Sequence, residues 1–474
     1  MVEVLHLQML APKMNRKCLC GLALCFLLSG CAVALKDAPE QDEVLADALP
    51  ESTEVRAQWA APADDTGEID DDWIASFNDP QLDILVAEAI TTQNPNIRIL
   101  AAQVDRAEAS VRLAAAAKKP TVAVGGNLSG TGGPAAAEQT AAAAGGGVSW
   151  EADVWGRIQA GVNAADETLR ATKADFQFGR QSLAANVAKS WYLATELSMQ
   201  VALTEEVVGI LEQTVGLIEQ KYDTGQVDMQ DVYLVRGDLA SARNAMETAR
   251  SGQQKARRAL EILLGRYPAG EIETAPGLVP VPPPIPVGLP SELLERRPDV
   301  VAADRRVAAA FNMSEQARLA KLPRFSLNLG AGVSSALSGA IGSLGTGVVA
   351  PLYTGGALEA QIDIANANQQ VAIGAYAQVV LNAFEEVETA ITNTALLDRR
   401  EVFLAAAVES NMKALELARV KYKVGQTELL SVLQIQAGWV GARVGHIDVQ
   451  NQQLAERINL HLALGGGFDN IPDQ

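Results

Sequence analysis

The 474-residue chain reads as mainly α, a duplicated unit of long helices with a small β part set into each copy. Three observations carry that reading. The stretch Lys221-Tyr222-Asp223-Thr224-Gly225-Gln226 returns 200 residues later as Lys421-Tyr422-Lys423-Val424-Gly425-Gln426. Each copy lies between two long helical patterns, and a Gly in fifth place suits a left-handed helix cap and a tight turn. Each unit also holds a stretch in which apolar and small residues alternate and charge nearly vanishes: Thr121 to Trp150 carries only Glu138, and the 34 residues from Phe325 to Leu358 carry none.

Composition narrows the function classes. Asp and Glu outnumber Lys and Arg by 57 to 38, which argues against the basic footprint that nucleic acid or anionic lipid requires. All four Cys (Cys18, Cys20, Cys25, Cys31) fall at the N-terminus, and only three His are present. The body therefore has neither a disulfide framework nor a Cys/His metal site. No nucleophile–base set or phosphate loop stands out, so the expectation is a protein without enzyme activity or cofactor.

Residues 1–30 read as a signal peptide. Met14-Asn15-Arg16-Lys17 is basic, the apolar run Cys18 to Leu28 is too short to span a bilayer, and translation is expected to start at Met14. The run ends in Leu28-Ser29-Gly30-Cys31, which resembles the lipobox of bacterial lipoproteins. The resemblance implies that Cys31 is the acylated (palmitate-bearing) mature N-terminus. Three acyl chains would hold it firmly, at about 0.8 kcal/mol per buried CH₂. Ala32, in place of Asp, implies the outer membrane.

In chain order, residues 31–80 form a lipidated arm without periodicity, and the first repeat covers 81–265. Its helices are expected over Gln81–Thr92 and Pro95–Lys118, with Lys119-Pro120 as the stop. A strand hairpin follows at 121–152, of the length a tilted membrane-spanning strand needs. Gly156 to Tyr222 is one long helix. Leu197, Val201, Thr204, Val208, Leu211, Val215, Ile218 and Tyr222 repeat every three or four residues, the seam of a left-handed coiled coil. The first tip spans 221–228, and Met229–Leu264 returns. Eight prolines make 266–290 a linker. The second repeat, 291–465, has the same parts: a helix Pro298–Lys321, a hairpin at 324–354, a long helix Gly356–Tyr422, a tip at 421–428 and a return helix Leu429–Leu464. Residues 466–474 are a tail. Four strands cannot close a barrel alone, and open edges in lipid leave backbone groups unsatisfied, so the pattern demands an oligomer.

Several stretches resemble the TolC-like outer-membrane efflux proteins, in particular their lipoprotein branch. They are Trp73-Ile74-Ala75-Ser76-Phe77-Asn78-Asp79-Pro80-Gln81-Leu82, Asp153-Val154-Trp155-Gly156-Arg157, Leu294-Glu295-Arg296-Arg297-Pro298-Asp299-Val300, Pro351-Leu352-Tyr353-Thr354-Gly355-Gly356 and the two tips. The resemblance implies a homotrimer that closes a twelve-stranded β-barrel in the outer membrane above a hollow periplasmic α-barrel, with linker and arm around its waist. It implies the passive exit duct of a tripartite pump, partnered by a periplasmic adaptor and an inner-membrane transporter of the resistance-nodulation-division class. A duct for type I protein secretion and a non-channel, lipid-anchored coiled-coil scaffold are the alternatives. The charge-free hairpins speak against the scaffold, which does not need them.

By the same resemblance, Lys221, Tyr222, Gly225 and Gln226, with Lys421, Tyr422, Gly425 and Gln426, are candidates for adaptor contact. The competing reading is that the Gly residues serve only the turn and the Tyr residues only pack it. Many relatives carry paired Asp after the second tip, in acidic rings at a periplasmic constriction. Here those places read Ser431 and Gln434, so that ring does not carry over. Asp231, with Asp228 and Glu428 nearby, remains a candidate constriction set, expected to prefer cations and to give weak divalent block. A solvated helix start accounts for the same acids equally well.

Overall fold

The computed structural model describes residues 73–133, 136–335 and 339–466, with isolated positions between 38 and 61. The signal peptide, Cys31 and most of the C-terminal tail lie outside the described residues. The helices are α1 (Pro80–Ala89), α2 (Pro95–Ala116), α3 (Arg157–Asp223), α4 (Met229–Leu263), α5 (Pro290–Arg296), α6 (Pro298–Leu319), α7 (Ala357–Lys423) and α8 (Leu429–Ala463). The strands are β1 (Thr121–Gly133), β2 (Ala136–Ala152), β3 (Arg324–Ser334) and β4 (Gly339–Val349). The duplication is close: α3 and α7 have 67 residues each, α4 and α8 have 35, and α2 and α6 have 22. At 1.5 Å per residue, each of the longest helices runs about 100 Å.

The chain divides into two compact units. One holds 115–161 and 312–363, hence the four strands and the helix ends that lead into them; the other holds 39–114, 162–311 and 364–474.

In the first unit the strands form one antiparallel sheet of order β1-β2-β3-β4. Register sorts its side chains. Val122 pairs with Val148, Val148 with Leu329 and Leu329 with Leu344, while Trp150 pairs with Leu327. Strand side chains alternate faces, so these residues share one face with Val124, Leu128, Val333 and Val348. That apolar face is largely exposed. The opposite face carries Thr121, Asn127, Ser149, Ser326, Asn328, Ser343 and many glycines. The sequence shows two charge-poor faces; pairing shows that they differ, one apolar and one polar. Among the described residues, neither β1 nor β4 has a partner on its outer edge.

In the second unit two cores surround the middle of the long helices. The first gathers Trp73, Phe77, Leu82, Leu85 and Val86 around Leu183, Val187, Ala188, Trp191 and Tyr192 of α3, with Leu454 and Ile458 of α8. The Phe77-Asn78-Asp79-Pro80 stretch earns its place there. Asn78 takes φ 50, Asp79 Oδ1 caps α1 by accepting from the Gln81 and Leu82 N–H groups, and Pro80 opens the helix. Asp79 Oδ2 meanwhile accepts the Trp191 indole N–H at 2.8 Å, fixing the turn to α3.

The second core joins α6, α7 and the end of α8, and it explains the Arg-Arg-Pro-Asp stretch. Arg297, only 3% exposed, binds both Asp299 oxygens (3.0 and 2.7 Å), Glu386 Oε2 (2.7 Å) and the Ala463 carbonyl (3.0 Å). One guanidinium thus ties the starts of α6 and the ends of α8 to α7 through geometry that Lys could not reproduce.

Two carboxylates clamp the irregular segments by their backbone. Glu261 accepts the N–H groups of Gly270, Glu271 and Ile272 at 2.6 to 3.1 Å, which turns the linker back onto α4. Glu388 of α7 accepts those of Ala60 and Ala61 at 2.7 and 2.8 Å, while the Trp59 ring packs edge-on against Phe384 and its N–H reaches the Gly288 carbonyl. Arm and linker therefore dock on the same helix face. Pro290 opens the helix α5, and the N–H of its N-cap Leu289 donates to Glu292.

Candidate functional site

Each tip is a Schellman cap. At the first, Gln226 N–H donates to the Lys221 carbonyl and Gly225 N–H to that of Tyr222, both at 2.8 Å; at the second, Gln426 donates to Lys421 at 2.9 Å and Gly425 to Tyr422 at 3.2 Å. Gly225 and Gly425 sit at φ 73 and 74, where only glycine is unstrained. A Cβ on either would meet no atom within 4 Å, so the demand for glycine is conformational and not steric.

The two tips share one core. Leu203, Val207, Val208, Leu211 and Ile218 of α3 pack with Val232, Val235 and Leu239 of α4, and with residues of α7 and α8 such as Leu415, Leu429, Leu433 and Trp439. Identical Lys-Tyr pairs then have different surroundings. Tyr222 is 43% exposed, whereas Tyr422 packs against that core with the Lys221 ammonium 4.3 Å from its ring centroid. Burial and, secondarily, the negative charge of Asp231 push the Tyr422 phenol above its ordinary pKa. Its hydroxyl is buried without a hydrogen-bond partner among the described residues. Tyr422 is thus packed and Tyr222 exposed. Lys421, Gln226 and Gln426 are exposed, amid the exposed apolar side chains Met229, Tyr233, Val424 and Leu430.

The acids near the tips divide. Asp228 and Glu428 occupy N-cap positions without making a side-chain capping bond, and both are exposed. Asp231 is half-buried, as is Ser431, and Gln434 is exposed.

Sequence reasoning missed an ion-pair ladder. Glu205, Glu212 and Glu219 of α3 pair with Arg250, Arg243 and Arg236 of α4 at 2.9, 2.7 and 2.5 Å. Both sets repeat every seven residues, so the ladder was legible as charges at one heptad position on antiparallel helices. Its counterparts in the second hairpin read Ala405, Met412 and Arg419 against Gln450, Arg443 and Gln436. There only Arg419 and Gln436 are joined, at 3.3 Å. Exposed pairs of this kind set helix register more than stability.

A buried acid was missed as well. Glu196 of α3, 4% exposed, accepts from Asn451 Nδ2 of α8 at 2.6 Å and from Gln200 Nε2 at 2.7 Å. Burial, and after it the neighbouring Asp448, raise its pKa to about 7, against the pull of the two amide donors.

The two repeats, residues 86–266 and 289–466, match the family described as outer membrane efflux protein. The chain belongs to that family. It is 29% identical over 433 residues to the pyoverdine export outer membrane protein OpmQ of Pseudomonas putida, covering 87% of this chain and 92% of that protein. It is 30% identical over 329 residues to the outer membrane protein OprJ of Pseudomonas aeruginosa, covering 68% and 69%. The crystal structure of CusC, reported for its conformational changes on folding and transmembrane channel formation, aligns with TM-score 0.79 at 25% identity, covering 91% and 99%. This outer membrane efflux protein thus has the TolC-like fold that its sequence resemblance implied.

The Glu196 site yields an expected pH dependence. An acid whose folded pKa is raised stabilises most below its unfolded value, near 4.3, and loses that contribution as pH climbs through the folded value. Hydrogen exchange of the α3–α8 contact around residues 196 and 451 should therefore quicken between about pH 5 and 8. In Glu196→Gln that acceleration, corrected for intrinsic exchange, should disappear. An unchanged pH profile in the variant would refute the assignment.

Proposed function

We propose that the chain is the outer-membrane exit duct of a tripartite efflux pump, a passive homotrimeric channel that passes small molecules from an inner-membrane transporter and a periplasmic adaptor. The observation that carries this reading is the sheet. It is apolar on one face, polar on the other, and unpaired at both edges. Strands of 11 to 17 residues suffice to cross a bilayer when tilted, and three copies joined β4 to β1 make a twelve-stranded closed barrel. The helices then belong to the periplasm, with the tips turned to the adaptor.

The tips suit such a partner. Two glycine caps present exposed Lys421, Gln226 and Gln426 among apolar side chains, and Tyr222 is exposed beside them. Asp228, Asp231 and Glu428 give the periplasmic mouth a cation preference. The transporter chooses the cargo: relatives are named for pyoverdine and for cations, which shows how differently one duct design is used.

Two variants test the parts of this reading. Gly425→Asp adds about 1 kcal/mol of backbone strain and bulk at the docking end. In a strain that depends on this duct it should abolish efflux while trimers remain; unchanged drug susceptibility would remove the tip from the docking surface. For the anchor, radiolabelled palmitate should mark the wild type and leave Cys31→Ser unlabelled, with part of the variant still reaching the outer membrane. Undiminished labelling would refute the lipobox.

A further inference from the structure

The polar face of the sheet has a property that the duct reading does not require. On it lie Thr121, Ala123, Gly125, Asn127 and Ser129 of β1, and Ala143, Gly145, Gly147 and Ser149 of β2. From β3 come Ser326, Asn328, Gly330, Gly332 and Ser334, and from β4 Gly339, Ile341, Ser343, Gly345 and Gly347. None of these is charged, in a chain of net charge −19. Charge on this face begins at the strand ends, with Arg324 and with Glu151, which Arg157 neutralises at 2.8 Å.

The same face is also thin. Ser343 pairs with Gly330 and Ser326 with Gly347. A Cβ built on Gly330 would stand 2.8 Å from Ser343 Oγ, and one on Gly347 2.7 Å from Ser326 Oγ, so each hydroxyl leans over its glycine partner instead of into the bore. Gly145 and Gly332 oppose each other, and a Cβ on either would come within 2.9 Å of the neighbouring strand's carbonyl oxygen.

Barrel size gives this thinness a meaning. Eight strands are filled by their own side chains, while sixteen to eighteen leave an aqueous channel. Twelve fall between, so the bulk of the inner wall decides whether the bore stays open. Charge selection in a pore needs rings of charged side chains, and between the strand ends this wall has none among the described residues.

We propose that the membrane section of the duct is an open, charge-neutral, hydroxyl- and amide-lined sleeve that is indifferent to the sign of its cargo. It admits polar small molecules whether they are cationic, anionic or zwitterionic. Sign preference arises outside this section, at its charged lower rim and at the acidic tips. This inference rests on the duct reading, and its test separates the two.

Single cysteines replace Ser343, Asn328 and Leu344 in turn, and intact cells are treated from outside with methanethiosulfonate reagents of similar size, one cationic and one anionic. The parent chain is the blank, since its cysteines all precede residue 32. Ser343→Cys and Asn328→Cys should react readily and Leu344→Cys at least about tenfold more slowly, because the first two face water and the third faces lipid. After normalisation to a free thiol, the cationic-to-anionic rate ratio at Ser343→Cys and Asn328→Cys should lie within about threefold of one, as expected without charged rings. A larger ratio with Leu344→Cys still protected overturns the neutral sleeve and leaves the duct intact. Equal reactivity at all three positions, or reaction at Leu344→Cys alone, overturns the membrane placement of the sheet and with it both readings.

Discussion

A peptide group in hydrocarbon must find its hydrogen-bond partner within protein, and that requirement governs this chain. Four antiparallel strands satisfy one another except along the outer edges of β1 and β4. Each unsatisfied group there would cost several kcal/mol in lipid. The edges are harmless in water and forbidden in a membrane, so the apolar face can enter the bilayer only when other copies supply the missing strands. Oligomerisation is therefore a condition of insertion.

The helical part is built by duplication with selective differences. Paired helices of equal length, closed by the same glycine cap, give two hairpins of one design. Around the middle of the long helices, single polar groups fasten several elements each: Asp79 to α1 and Trp191, Arg297 to α7 and α8, Glu388 to the arm, Glu261 to the linker. Buried charges of this kind are strong only when well hydrogen-bonded, and Arg297 makes four such bonds and Glu261 three. The first hairpin alone is laced by the Glu–Arg ladder, and Tyr422 alone is packed between tips, so two nearly identical sequences occupy different mechanical positions.

Much of this was legible in the sequence, for physical reasons. A seam every three or four residues specifies a long helix, and its ends fell within a residue or two because glycine caps mark them. Alternation without charge specified the hairpins, although the sorting of faces needed the register. Less legible was the stretch from Leu183 to Tyr192, where α3 is buried on several sides and the seam disappears into all-round burial. The helix α5 was hidden among prolines, although Pro290 followed by Glu292 is a helix-start signal. The clamps at Glu261 and Glu388 had no sequence signature, because their donors are backbone N–H groups that any residue offers. The tip tyrosines show the same limit: the two copies read alike, and only tertiary packing distinguishes Tyr222 from Tyr422.

The dependence of the sheet on partner copies is the central claim, and the mass of the folded, detergent-extracted particle tests it most directly. Native mass spectrometry should give three chains per particle, with no folded monomer or dimer surviving release from the micelle. A stable, folded single chain that retains its β-structure in lipid would show that the strand edges are satisfied some other way, and the account would fail.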